Sequence, residues 1–350
     1  KINSFQDAVI FLRFLLIPFF TYFIFCKNGK ILQNTIFLIF IIVMFICVDT
    51  VYQFFNYTSK SGFGEDLLGF KSNWYGRLTG PFGDELIPGS YISKFGLLGY
   101  IFLISNKRFE KNVIFQSIYL SFILFITYVS GERMAFATFG LGLFLLLIFL
   151  DEFRRSILLS IFIGSILILL AIYLHPFYND FKVLESTQYH QGLKIEKSFE
   201  CENGNGKLCS KIVQIQPSFL EIIKNFKTTS YGEIYLLSYK MFTDNLITGI
   251  GINNFEYLCN TIDTYKKLMV NYNCASHPHN IYIQWLAEGG LIVFTTFIFY
   301  LIFLISFIIN SNAEKKYKVI SLVVILIMFW PIMSTGSLIK NWFGIITFFI

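Results

Sequence analysis

Long apolar runs broken by short polar ones dominate the chain. Runs able to cross roughly 30 Å of hydrocarbon fall at about 8–26, 31–48, 87–105, 112–129, 134–150, 156–174, 281–309, 319–333 and 338–350. The run from 87 is the most polar, carrying Pro88, Gly89, Ser90, Ser93 and Lys94. The charge pattern nevertheless requires it. Taking the runs in alternation, one side receives the short loops 27–30, 106–111, 151–155 and 310–318. These hold Lys27, Lys30, Lys107, Arg108, Lys111, Arg154, Arg155, Lys315, Lys316 and Lys318. Short connections on the other side hold only Arg133 and Lys340. An excess of lysine and arginine marks cytoplasmic loops, so the long segments 49–85 and 175–280 are expected outside. The expected fold is an all-α multi-pass transmembrane bundle of about nine spans with one large periplasmic helical loop domain. Its parts are spans over 1–174 with outer loop 49–85, a loop domain over 175–280, and spans over 281–350.

Composition agrees. Apolar residues make up 55% of the chain and charged ones 14%, which excludes an ordinary soluble domain. The net charge of +6 reflects topology rather than nucleic-acid binding. The first apolar run lacks a small-residue cleavage site, so no secretory signal peptide is expected. The chain opens without Met, which leaves room for further spans upstream.

Within the outer excursion, Phe219, Leu220, Ile222, Ile223 and Phe226 make an apolar stripe against Glu221, Lys224, Asn225 and Lys227, the pattern of a short amphipathic helix. A second helix is expected over 234–242, stopping near Asp244-Asn245, followed by a tight turn at Gly249-Ile250-Gly251. No strand is expected before that turn, so it is not a nucleotide loop. Cys201, Cys209, Cys259 and Cys274 all fall in this excursion. The simplest pairing is Cys201–Cys209 with Cys259–Cys274, the other two connectivities staying open. Disulfides fit an oxidising, periplasm-like space, and the second pair would close a loop just before a histidine pair. Cys26 and Cys47 lie in apolar runs and are read as packing residues.

The histidine pair, His277 and His279, stands where the polar excursion re-enters the apolar pattern. Asn280, Gln284 and Glu288 follow at i, i+4 and i+8, on one face of a helix. A polar stripe entering lipid has to face protein or a wet cavity. No third ligand accompanies His-x-His at familiar zinc spacing, and an imidazole near neutral pKa can take a proton from an attacking hydroxyl. His175 and His190 are read as loop residues. Two outer arginines complete the candidate chemistry, Arg77 before the run at 87 and Arg133 in a tight turn. A planar guanidinium suits phosphate oxygens. The plainer readings are an Arg133–Glu132 ion pair or headgroup contact, and an Arg77 partnered by Asp84 or Glu85.

These residues sit in motifs. SHPHNIYIQWLAEGG resembles the signature of the bacterial O-antigen ligase and O-antigen polymerase superfamily, in which a His-Asn pair opens a span and Gln and Glu follow. GRLTGPFGDE resembles that superfamily's Arg-x-x-Gly-x-Phe element, SGERMAF its Ser-x-Arg turn, and FTDNLITGIGINNF the segment ahead of the histidine. The resemblance runs over roughly 75–310. Departures are Gly83-Asp84-Glu85 in place of an Asn-Pro-Asn-like turn, Ile247 in place of a proline, and no arginine at Tyr231-Gly232-Glu233.

The resemblance implies an inner-membrane glycosyltransferase working at the periplasmic face. Its donor would be a glycan on undecaprenyl pyrophosphate, and its acceptor a hydroxyl on another lipid-linked glycan or on lipid A core. His279 would be the catalytic base. Arg77 and Arg133 would bind the pyrophosphate, with His277, Asn280 and Glu288 at the same site, no metal or other cofactor, and inversion at the anomeric carbon. A polymerase is slightly favoured over a ligase, because the low-charge outer surface offers no basic platform for a phosphorylated core. A flippase for the same lipid-linked sugar is the alternative class. It gives no reason for a histidine element, and the two related halves common in transporters are not evident.

Overall fold

The computed structural model describes residues 2–58, 62–72, 77–178, 193–200, 208–215, 223–332, 335–339, 343–345 and 347. It is mostly helical. In chain order the helices are α1 (Ile2–Lys27), α2 (Gly29–Phe55), α3 (Pro88–Ser105), α4 (Val113–Val129), α5 (Arg133–Phe149), α6 (Arg154–Leu174), α7 (Ser230–Asp244), α8 (Phe255–Thr261), α9 (Asp263–Lys266), α10 (Ile281–Asn310) and α11 (Lys315–Met328). Among the described residues three segments are long and apolar enough to cross a membrane, Gly29–Phe55, Asp151–Leu174 and Ile281–Asn310, and Val113–Val129 and Arg133–Phe149 are shorter apolar helices. Large apolar side chains such as Phe19, Leu38, Phe144, Leu169 and Phe303 stand exposed on these helices, as lipid-facing residues do. The chain is a membrane protein. By length and composition the long spans fall short of the count of about nine expected from runs alone, and much of the last run lies outside the described residues.

Among the described residues two antiparallel hairpins interrupt the helices. Tyr57–Thr58 (β1) pairs with Gly62–Phe63 (β2), and Leu193–Glu200 (β3) pairs with Leu208–Ile215 (β4), Leu193 opposite Ile215. The excursion was expected to be helical. Its β3–β4 hairpin is a departure, drawn from a stretch where the polar-apolar alternation of Leu193, Ile195 and Phe199 has period two. The Cys201–Cys209 pairing, His190 and residues 219–222 of the expected amphipathic helix lie outside the described residues, as does the side chain of Cys26. Cys47 is free and fully buried, in keeping with a packing role.

The chain divides into two compact units. The larger comprises 32–217 and 313–327. Here α3, α4 and α6 pack through polar contacts that lipid cannot replace. The Tyr119 hydroxyl donates to the Gly96 carbonyl at 2.8 Å, Tyr100 to Gln116 Oε1 at 3.0 Å, and Ser117 to the Ser156 carbonyl at 3.0 Å. Asn112 caps α4 by accepting from the Phe115 N–H. At one end Lys316 meets Glu110 at 2.6 Å, and Lys315 and Arg154 both meet Asp151, so three of the basic loops share a side. At the other end Gln53 holds the 79–80 turn by accepting from the Thr79 and Gly80 N–H groups. His175 is a packed residue there rather than a loop residue: its ring stacks on Phe54 at 4.0 Å and bonds the Phe54 carbonyl.

The smaller unit comprises 1–31, 218–312 and 328–350. Its core gathers Ile234, Leu237 and Met241 of α7 with Phe255 and Cys259 of α8, then Tyr265, Met269 and Ala287. Thr229 caps α7 by accepting from the Gly232 N–H, and Asn245 ends it, where the sequence places the stop.

Candidate functional site

The histidine element is built in the smaller unit. Cys259 and Cys274 form a disulfide that closes the loop leading to it, as the local pairing anticipates. The buried Glu233 of α7 pins the same loop by accepting from the Asn271 backbone N–H and from its side-chain amide at 2.6 Å. Past Cys274 the chain runs through Ser276-His277-Pro278 to His279, whose φ of 55° is left-handed. Few non-glycine residues adopt that conformation, and it persists only where neighbours enforce it.

Those neighbours are identifiable. The Thr335 N–H donates to the His279 carbonyl at 2.7 Å. The Thr335 carbonyl meets His277 Nε2 at 3.3 Å. A carbonyl only accepts, so Nε2 donates to it, and Nδ1 lies 3.0 Å from the Ser276 hydroxyl, from which it accepts when the ring is neutral. The His277 and His279 rings lie 4.1 Å apart, and the Tyr231 ring meets His279 edge-on at 5.9 Å. Among the described residues no hydrogen bond occupies either ring nitrogen of His279. Burial pushes its pKa below the ordinary 6.5, because a poorly solvated imidazolium is disfavoured. The ring is therefore a neutral base at pH 7.

Asn280 starts the next helix. Its side-chain oxygen accepts from the Tyr282 and Ile283 N–H groups, and its amide donates to the Pro331 carbonyl at 2.7 Å. One turn on, Gln284 donates to Glu288 at 3.0 Å and to the Ser337 hydroxyl at 2.7 Å. Both Gln284 and Glu288 are buried. The polar stripe thus faces protein, as its spacing requires.

The helix carrying the stripe is not the continuous span expected over 281–309. It breaks at Gly290, where φ is 62° and ψ is −162°. The 245–251 loop fills the break. The Ile250 and Gly251 N–H groups donate to the Ala287 and Glu288 carbonyls, and the Leu246 and Ile247 carbonyls accept from the Leu291 and Ile292 N–H groups. Both helix ends exposed by the break are satisfied. A Cβ on Gly290 would overlap the Ile247 carbonyl, and one on Gly249 the Glu288 backbone. The Gly-Ile-Gly turn and the Gly289-Gly290 pair therefore form one joint.

The arginines belong to the larger unit. The Leu78 N–H donates to the Ser130 carbonyl at 3.1 Å, joining the Arg77 segment to the turn before Arg133. Arg77 Nη2 donates to the Leu86 carbonyl at 2.7 Å and lies 3.9 Å from Glu132 Oε2. Glu132 Oε1 accepts from the Gly89 N–H at 2.7 Å, so this carboxylate caps α3. Burial raises its pKa, while Arg77 and the N–H donors lower it. Arg133 opens α5 and is exposed. Residues that sequence reasoning missed are Tyr231, Glu233, Thr335 and Ser337, which hold the histidine element, Glu132 beside Arg77, and Lys94 on the helix that Glu132 caps. The signal for Lys94 was an ionisable residue inside an apolar run.

A family model described as O-antigen ligase matches residues 117–298, just over half the chain. The chain belongs to the O-antigen ligase family. The matched stretch contains Arg133, the disulfide, the histidine element and Gly290, and it ends before Thr335 and begins after Arg77. None of the curated proteins matches the chain. Membership makes this a membrane enzyme of the O-antigen ligase/polymerase type, a glycosyltransferase class acting on lipid-linked glycans.

Proposed function

We propose that the chain transfers a glycan from undecaprenyl pyrophosphate to a sugar hydroxyl at the outer face of a bacterial inner membrane, with His279 as general base. The acceptor O–H gives its proton to the imidazole as its oxygen bonds the anomeric carbon. The bond from that carbon to the pyrophosphate oxygen breaks, and the pyrophosphate leaves with the electron pair. Attack opposite the leaving group inverts the centre. Arg77 and Arg133 stabilise the charge that develops on the pyrophosphate, so the step calls for no metal. His277 packs beside the base, and Asn280 and Glu288 fix the helix that follows it.

The observation that carries this reading is the state of His279: left-handed, half-buried, depressed in pKa, with both ring nitrogens free of hydrogen bonds among the described residues. We favour the polymerase, with a second lipid-linked glycan as acceptor, on the low charge of the outer loops. The test is the glycan profile of cells lacking the gene, complemented by the parent chain or by His279→Ala. Single lipid-linked units should accumulate in the deletion and persist with His279→Ala. Full-length polymer left unattached would mean a ligase onto lipid A core. Loss of every outer-leaflet unit would mean a flippase and end the transferase reading.

A further inference from the structure

In the larger unit, on the helix whose start Glu132 caps, lies a lysine with no role in the reaction as drawn. Lys94 sits in the second turn of α3 and is 4% exposed. Its ammonium donates to the Ser90 carbonyl at 3.0 Å and to the Ser90 hydroxyl at 3.2 Å, and both are neutral acceptors. An ammonium carries three N–H bonds, and the third has no acceptor among the described residues. Arg77 shows the same deficit. Its Nε is buried without a partner among them, and its Nη2 bonds a neutral carbonyl.

The carboxylate that meets Arg77 among the described residues, Glu132, is already engaged. One oxygen caps α3 through the Gly89 N–H, and the other lies 3.9 Å from Arg77. Lys94 bonds only Ser90 among the described residues and meets the Glu132 charge through space, so one carboxylate serves two cations and leaves at least one positive charge uncompensated. The exposed Arg133 is the next residue along the chain. Buried positive charge is costly in an apolar surround unless an anion accompanies it. A donor set short of acceptors and of negative charge fits a multiply charged oxyanion.

We propose that Lys94 is a further cationic ligand of the diphosphate group, held by Ser90 and acting with Arg77, which Glu132 and the Leu86 carbonyl hold. This rests on the reading of the donor as a pyrophosphate-linked glycan. Lysine supplies a compact point charge where the arginine fork supplies orientation. Chain residues alone account for the cluster's positive excess, and Lys94 lies outside the stretch that matches the family model.

The test uses purified full-length protein in detergent with inorganic pyrophosphate as probe, measuring affinity by calorimetry and glycan transfer in parallel. Lys94→Met should weaken pyrophosphate binding about tenfold, and Lys94→Arg should restore it to within about threefold, the effect of one charge-assisted hydrogen bond. Lys94→Gln, which keeps a donor for Ser90, is the second variant should the methionine one fail to fold, and it should weaken binding by the same factor. Parental affinity in a folded neutral variant overturns the proposal, as does a parent that transfers glycan yet binds no pyrophosphate. A parent that binds pyrophosphate through Lys94 but transfers nothing leaves the anion site standing and removes the transferase reading instead.

Discussion

Replacing Gly290 with alanine tests the joint that sets the histidine-bearing helix apart from the long segment after it. The residue's φ of 62° and ψ of −162° lie in a region populated almost only by glycine, where another residue costs about 1–3 kcal/mol. The added Cβ would also overlap the Ile247 carbonyl and the Gly249 nitrogen, which are backbone atoms with no rotamer to escape into. Relief requires the 245–251 loop to move off, sacrificing the Leu291–Leu246 and Ile292–Ile247 hydrogen bonds at about 1 kcal/mol each. The expected loss is about 3–5 kcal/mol, or a fall in Tm on the order of 10 °C. Thermal melting followed by tryptophan fluorescence in detergent measures it. Gly140→Ala is the control, because nothing lies within 4 Å of a Cβ there in the middle of α5. It should be neutral or stabilising by up to about 1 kcal/mol. If Gly290→Ala melts with the parent, the broken-helix account is wrong.

Three further outcomes follow from the site. Burial lowers the His279 pKa beneath 6.5, so the neutral base persists into mild acid and the acid limb of the activity profile should have its midpoint below 6.5. The unfolded chain then binds that proton more readily, so stability should fall as pH drops through 6.5 toward the lowered value; an activity midpoint above 6.5 contradicts the burial argument. Asn280→Ala removes the cap on Tyr282 and Ile283 and the bond to Pro331, and should cost about 1–2 kcal/mol in a melting experiment. Reducing the Cys259–Cys274 bond, which spans a separation of 15 residues, should cost about 3 kcal/mol and depress transfer by loosening the chain before His277. Unchanged melting and transfer under reductant would show that the disulfide does not hold the histidines.

Much of this architecture was legible in the sequence. Apolar runs marked the helices, including the weak one at 88, because burial in lipid imposes length and composition directly. The stop at Asp244-Asn245 and the 259–274 pairing were local and could be read locally. The helix break at Gly290 was not, because a glycine pair inside an apolar run looks helical until the distant 245–251 loop is known to fill the gap. The engagement of Glu132 with α3 escaped for the same reason: chain neighbours suggested Arg133, while the Gly89 N–H and Arg77 lie far off in sequence. The left-handed backbone of His279 depends on Thr335, 56 residues on, and no periodicity encodes it. His-Asn spacing pointed to the base; the segment that holds it had to be seen.

The most direct measurement uses purified protein with a glycan on undecaprenyl pyrophosphate, following release of undecaprenyl pyrophosphate against glycosidic bonds formed. The account predicts one released per bond, inversion at the transferred anomeric carbon, and a fall on the order of 10²–10⁴-fold in His279→Gln at unchanged Tm. Parental turnover in His279→Gln, or retention at that carbon, would contradict it.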